Sequence, residues 1–167
     1  ARLGYALTAT GNDVTLEDIA RIADVFYIGG TKVGAMFGEA VVFTHGNMPK
    51  NFVTLVKQHG ALLAKGWLLG VQFDTLFTDN LYCRIARRAN DAADRIREVL
   101  VERGYTLTFD APTNQIFITL DNETSERLQR SVRLGFMEKA DDTHTVMRIC
   151  TSWATTDKQV EQLIALL

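Results

Sequence analysis

The chain has 167 residues, of which 47% are hydrophobic and 23% are charged, and its formal net charge at pH 7 is -2. This composition excludes an intrinsically disordered chain and is typical of a globular one with a buried core. No basic block and no long uncharged apolar segment is present, so we expect no nucleic-acid partner and no membrane-spanning helix. Cys83 and Cys150 lie far apart and show no metal-ligand spacing. We therefore expect no metal site, two buried or inert thiols and a cytoplasmic protein.

The first half of the chain predicts short strands and helices in alternation. Thr15 and the acidic residues after it predict a helix start. Residues 24–28 and 41–43 are β-branched or aromatic and predict two short buried strands, the end of a parallel-sheet domain. From Pro49 to about Phe77, apolar residues recur at helical spacing and predict helical structure, in which Gly66 and Gly70 mark close packing or a kink.

The second half predicts a compact α+β unit. Residues 81–103 form a long amphipathic helix pattern, and Gly104 is a typical residue to end it. The elements expected after it are strands at 105–109 and 115–120, a helix at 125–134, a hairpin of 136–139 with 145–151, and a final helix opened by a capping box at Thr156.

Lys32 lies in a glycine-rich segment, residues 29–38, between the two predicted strands. Burying a lysine charge is costly, and a desolvated amine is partly neutral and able to form a Schiff base. An exposed loop that merely contains glycines is the alternative, and spacing alone favours it. A nucleotide-binding P-loop is excluded because Val33, rather than Ser or Thr, follows the lysine.

Arg148 lies in the middle of a predicted strand, between apolar neighbours. An arginine in that position usually has an anionic partner, and its fork of donors suits a carboxylate. A solvent-facing arginine on an edge strand is the alternative, and the pattern alone favours it.

Several segments resemble, in chain order, those of the low-specificity threonine aldolases. Residues 26–43, FYIGGTKVGAMFGEAVVF, resemble the segment that carries the cofactor lysine in that family. Arg148-Ile-Cys-Thr-Ser-Trp153 is similar to the family's substrate-carboxylate segment. The first residues, Ala-Arg-Leu, resemble the end of a family motif, Asp-Gly-Ala-Arg-Leu, whose aspartate pairs with the pyridine nitrogen. Further similar segments are 56–66, 88–93 and 112–117.

This resemblance implies an α/β fold of the aspartate-aminotransferase type, in which the end of a large doubly wound pyridoxal-phosphate-binding domain is followed by a small C-terminal α+β domain. Residues 1–48 would belong to the large domain, 49–78 would form connecting helices, and 79–167 would form the small domain. The pyridine-pairing aspartate, the ring-stacking residue and the phosphate-binding turn would lie upstream. We therefore expect a C-terminal portion that is inactive alone, from a protein that forms homodimers or homotetramers with active sites at the subunit interface.

The resemblance also implies roles for individual residues. Lys32 would hold pyridoxal 5'-phosphate as a Schiff base, with Thr31 and Arg2 as further cofactor contacts. Lys57 would reach the cofactor phosphate of the neighbouring subunit. Arg148, together with Arg2, would bind the carboxylate of a small-molecule amino-acid substrate. The reaction would be the aldol cleavage of threonine or allo-threonine to glycine and acetaldehyde.

Two other functions stay open at this point. Another lyase or an aminotransferase of the same fold would share Lys32 and Arg148 but would release the side chain differently. A non-catalytic fragment would carry Lys32 only as a surface residue. We expect no catalytic role for the histidines: His59 is predicted to pack in a helix and His144 to be solvated beside a hairpin turn.

Overall fold

The structure is a computed structural model that describes residues 2–167. In chain order its helices and strands are α1 (Leu3–Leu7), α2 (Leu16–Ile22), β1 (Val25–Gly29), β2 (Glu39–Phe43), α3 (Phe52–Gln58), α4 (Trp67–Phe77), α5 (Leu81–Glu102), β3 (Thr106–Leu107), β4 (Gln115–Asp121), α6 (Asn122–Gln129), β5 (Gly135–Lys139), β6 (His144–Cys150) and α7 (Asp157–Leu166). Each helix within this range is too short or too polar to span a bilayer.

The two strands of the first half form a small sheet of their own. β1 and β2 pair antiparallel, with Val25 opposite Phe43 and Gly29 opposite Glu39. The predicted strands are therefore present, but they are joined as an antiparallel pair instead of a parallel one. The helix start at Thr15 is confirmed, because Thr15 and Asp18 form a capping box at the first turn of α2.

The helical structure predicted from Pro49 to Phe77 is present as two helices, α3 and α4. α3 ends at Gln58, His59 and Gly60 follow, Gly60 has a φ of +67°, and α4 begins only at Trp67. A positive φ cannot continue a right-handed helix, so the chain breaks there. Part of the apolar surface of these helices is covered within residues 2–167, because Leu76 and Phe73 of α4 pack into the first apolar cluster. Large side chains of both helices, such as Val53 and Trp67, are 62% and 65% exposed.

Helix α5 is the long amphipathic helix that the sequence predicts, and it contacts two separate apolar clusters. Its first half contributes Tyr82, Ala86 and Ala89 to a cluster with α1, β1 and α4. Its second half contributes Ile96 and Leu100 to a cluster with the second sheet. Gly104 follows the helix with a φ of +79°, a conformation in which glycine is favoured because it has no Cβ.

The second sheet has four antiparallel strands in the order β3-β4-β6-β5. Ile116, Ile118 and Leu120 of β4 alternate with half-buried residues, which is the pattern of a strand with one covered face. Helices α5, α6 and α7 cover that face and enclose the apolar core. The predicted hairpin is confirmed as β5 and β6, with an irregularity in register between Phe136 and Glu138.

Two boundaries in this half differ from the prediction. The strand expected at 105–109 is reduced to β3, two residues long. The helix expected at 125–134 begins earlier, because the side chain of Asp121 accepts a hydrogen bond from the N–H of Thr124 and caps α6. The capping box at the start of α7, formed by Thr156 and Gln159, is confirmed.

Candidate functional site

Lys32 lies on a single 3-10 turn, Thr31–Val33, in the connection from β1 to β2. Thr31 and Lys32 are exposed, whereas the side chain of Val33 is buried in the first apolar cluster. The expectation that Lys32 is desolvated is therefore wrong for the chain as described, because nothing in residues 2–167 covers it. Within that range, the Lys32 amine also makes no hydrogen bond and no ion pair, so it is accessible and unengaged.

Two buried tyrosines hold the backbone of this turn. The Tyr5 hydroxyl donates a hydrogen bond to the carbonyl oxygen of Lys32. The Tyr82 hydroxyl donates to the carbonyl oxygen of Gly29 at 3.0 Å and accepts from the N–H of Gly4 at 3.2 Å. The exposed lysine is thus carried on a backbone that is held by hydrogen bonds at Gly29, the end of β1, and at Lys32 itself.

Glycines on both sides of Lys32 are required by geometry. A Cβ at Gly30 would lie 2.7 Å from the Cβ of Ala35 and 3.1 Å from the ring of Phe73, which leaves no room for a side chain. Gly34 has a φ of +101°, a conformation that residues with a Cβ rarely adopt. The glycine-rich pattern therefore serves a tight turn with close packing beneath it.

Arg148 lies on β6, which is an inner strand between β4 and β5. The edge-strand alternative is therefore wrong. Its neighbours Met147 and Ile149 are buried in the core, so the alternation along the strand turns Arg148 to the opposite face of the sheet. The Nη1 atom donates to Oε1 of Gln115 at 3.1 Å, and the buried Nε atom has no partner within residues 2–167.

Arg2 immediately precedes α1, and one of its guanidinium atoms, Nη1, is buried without a hydrogen-bond partner in the described range. Arg2 is also close enough to the Tyr5 phenol to influence it. Burial raises the pKa of Tyr5, and nearby Cys150 adds to the rise, whereas Arg2 and the backbone N–H of Trp153 lower the pKa of the same phenol. Tyr5 therefore lies where the lysine turn, Arg2 and the end of β6 meet.

Lys57 is not brought close to Lys32, Arg2 or Tyr5 in this structure. Lys57 lies on α3, is exposed, and contacts none of the other candidate residues through a hydrogen bond or ion pair in the described part of the chain. Thr31 lies beside Lys32, and its hydroxyl makes no hydrogen bond to residues 2–167. Four of the five predicted residues thus lie around Tyr5 or on the strand that ends beside it, and Lys57 lies apart.

Three residues that matter to this geometry were not predicted: Tyr5, Tyr82 and Gln115. Tyr82 and Tyr5 are each 2% exposed, and only the folded chain shows that their hydroxyls reach the turn. Gln115 follows directly from the pairing of β4 with β6, where it stands opposite Cys150 and diagonal to Arg148. A polar residue at the start of an apolar strand was the available signal.

The histidines and cysteines differ partly from expectation. His59 directly follows α3 and is exposed, so its predicted packing is wrong. The ring of His144 is half-exposed and bonds to Asp141. Cys150 is exposed rather than buried, and Cys83 is half-buried. No cluster of three potential metal ligands occurs within residues 2–167.

The chain is similar to threonine aldolases in both sequence and structure. It is 28% identical over 143 residues to a low-specificity L-threonine aldolase of a Pseudomonas species, a match over 85% of this chain and 40% of that protein. It is 31% identical over 107 residues to the enzyme of that name from Pseudomonas aeruginosa, a match over 64% of this chain and 31% of that protein. The structure of Leishmania major threonine aldolase matches 99% of this chain with a TM-score of 0.94 and 41% identity. No family profile matches the chain.

The resemblance seen in the sequence is confirmed. The chain corresponds to the C-terminal part of these threonine aldolases, and it spans 48% of the length of the Leishmania protein. A serine palmitoyltransferase of Sphingomonas wittichii matches 98% of this chain and 44% of its own with a TM-score of 0.62 and 16% identity, which shows a shared fold only. The predicted α/β fold class is thereby confirmed.

Proposed function

We propose that this chain is part of a pyridoxal-phosphate-dependent enzyme that cleaves threonine or allo-threonine to glycine and acetaldehyde, with Lys32 as the residue that holds the cofactor as a Schiff base. The observation that carries the proposal is the similarity to threonine aldolases over nearly the whole chain. Among the similar folds, one serine palmitoyltransferase structure is described as holding pyridoxal phosphate as an internal aldimine.

The environment of Lys32 fits a cofactor that binds covalently. An amine can attack an aldehyde carbon only if it is accessible and free of other partners, and the Lys32 amine meets both conditions within residues 2–167. The turn beneath it is fixed by Tyr5 and Tyr82, so the position of the reacting amine is limited mainly by its own side chain. We propose Thr31 as a further cofactor contact, because its exposed hydroxyl lies on the same turn.

The environment of Arg148 fits a carboxylate. A buried guanidinium nitrogen without a partner is costly, and a bound anion would satisfy it. Nη1 is engaged by Gln115, whereas Nε, buried beside Gly135, and Nη2 have no protein partner in the described range, and we propose that they are the donors to a carboxylate. Arg2 has a second buried, unpartnered nitrogen and is proposed to contact the cofactor or the same carboxylate.

Pyridoxal phosphate, when bound, supplies an electron sink for the bond that breaks at Cα of the amino acid. The residues of this chain supply the rest of the proposed site. Arg148 and Arg2 would orient the substrate through its carboxylate, and the Lys32 amine, once released by the substrate amine, would transfer protons.

We propose that residues 1–48 belong to a large cofactor-binding domain, 49–78 to connecting helices and 79–167 to a small domain. We also propose that the protein is a homodimer or homotetramer in the cytoplasm. Lys57, exposed on α3, would reach the phosphate in a neighbouring subunit.

The test is to mix the longest natural form of the protein with pyridoxal phosphate, reduce it with borohydride, digest it and locate the modified peptide by mass. We expect modification at Lys32 and its loss in Lys32→Ala. The matched control is Lys158→Ala, a change at an exposed lysine on α7. Wild-type protein without modification at Lys32 would overturn the proposed function.

Product analysis then separates the related reactions. Glycine and acetaldehyde from threonine would support the aldol cleavage. Ammonia with a keto acid would instead indicate a β-eliminating lyase, and transfer of the amino group would indicate an aminotransferase. Cofactor bound at Lys32 without turnover of any amino acid would leave a non-catalytic relative.

A further inference from the structure

Tyr5 connects the turn that carries Lys32, residues Thr31–Val33, to other parts of the fold. Its ring is buried in the first apolar cluster, and its hydroxyl donates to the carbonyl oxygen of Lys32. Cys150 at the end of β6 raises the pKa of this hydroxyl, and the backbone N–H of Trp153 lowers it. A single phenol thus contacts the segment that carries the proposed cofactor lysine and approaches the segment that carries Arg148.

Tyr5 is itself held in place by α5. The Asn90 side chain is fully buried, and its Nδ2 atom donates to the carbonyl oxygen of Tyr5 at 2.9 Å and to Oγ1 of Thr8 at 3.0 Å. Helix α1 has only five residues and cannot be stable alone, so these contacts are needed to fix it. The phenol is therefore anchored through its own backbone.

The same turn of α5 also holds the end of β6. The Thr151 hydroxyl donates to the carbonyl oxygen of Ala89 at 2.7 Å, and Ala89 precedes Asn90 in the chain. One helical turn consequently contacts α1 on one side and the strand of Arg148 on the other. Lys32 is therefore connected to this turn of α5 through Tyr5, and β6 is connected to it through Thr151.

We infer that Tyr5 is a positioning residue, which fixes the backbone of Lys32 relative to the strand that carries Arg148; this inference rests on the proposed function. The hydroxyl remains protonated over the pH range of ordinary assays, because burial raises its pKa above the usual 10.0. It therefore remains a donor to the Lys32 carbonyl throughout that range. Tyr82 donates in the same way to the carbonyl oxygen of Gly29, the last residue of β1.

The test is Tyr5→Phe in the longest natural form of the protein, because this change keeps the buried ring and removes only the hydroxyl. We expect the dissociation constant of pyridoxal phosphate to rise about tenfold, as the loss of one hydrogen bond to the partly buried Lys32 carbonyl implies. We also expect a fall in kcat for threonine with little change in KM, and a changed visible circular-dichroism band per bound cofactor. The band reports the orientation of the cofactor ring, which a simple loss of protein stability would not alter.

The matched control is Tyr105→Phe. Tyr105 also donates its hydroxyl to a backbone carbonyl, that of Leu167 at 2.6 Å, but it packs against the core of the second sheet. A Tyr5→Phe protein that differs from wild type only as Tyr105→Phe does, with lower thermal stability but unchanged cofactor affinity and band, would overturn the inference alone. Wild-type protein that is not modified at Lys32 would overturn the proposed function, and the inference with it.

Discussion

Replacing Arg148 by lysine tests whether the free edge of the guanidinium binds the substrate carboxylate. Lysine keeps the positive charge but loses the planar pair of donors, Nε and Nη2, that remains when Gln115 occupies Nη1. A hydrogen bond to a charged group contributes ~1.5–3 kcal/mol, so the loss of one such bond corresponds to a fall of roughly 10- to 150-fold in affinity. We expect kcat/KM for threonine to fall by that factor, with most of the change in KM.

The assay is steady-state kinetics on the longest natural form of the protein, with the dissociation constant of glycine measured separately by the spectral change of the bound cofactor. Arg95→Lys is the control, because Arg95 pairs with Asp157 on the surface, at 3.2 Å. Unchanged affinity for glycine in Arg148→Lys would refute the reasoning. Equal losses of kcat/KM in Arg148→Lys and Arg95→Lys would also refute it.

Three further predictions concern stability. Gly104→Ala should lower the free energy of unfolding by about 1 kcal/mol, because Gly104 has a φ of +79°. Gly70→Ala should raise the free energy of unfolding by up to about 1 kcal/mol, because Gly70 lies inside α4 and a Cβ there meets no atom within 4 Å. Urea unfolding measures both variants, and a change of the same sign in Gly104→Ala and Gly70→Ala would contradict these predictions. The carboxylate of Asp141 accepts hydrogen bonds from Thr143 and His144, which hold its pKa well below the ordinary 3.8. The Asp141 carboxylate therefore stabilises the fold fully above pH 3.8, and this stabilisation is lost as the pH falls below 3.8. The melting temperature of Asp141→Asn should consequently fall less on acidification than that of the wild type.

Local signals in the sequence predicted several elements correctly. The capping boxes at Thr15 and Thr156 need only residues three positions apart, and both are present in the structure. The long helix α5 is specified by its own amphipathic pattern, and Gly104 marks its end. In each case the residues that decide the structure are close together in the chain.

Features that depend on distant contacts were not predictable in this way. The break between α3 and α4 was expected at Gly66 or Gly70 and not at Gly60, because an apolar pattern does not show where the backbone adopts a positive φ. Helix α1 is too short to give a periodic signal and depends on Asn90, 85 positions after Tyr5. The contact of Gln115 with Arg148 requires the register of two strands, which the sequence alone does not specify.

The pairing of β4 with β6 has a consequence for how faithfully the chain folds. Phe117 stands opposite Arg148, and Ile118 stands opposite Met147. Because side chains alternate along a strand, a slip of β6 by one residue would turn the Arg148 guanidinium into the apolar core and Met147 out of it. Burying that charge without a partner costs several kcal/mol, so the mispaired sheet is strongly disfavoured. The arginine proposed to bind the substrate thus also excludes the nearest misfolded arrangement of its own strand.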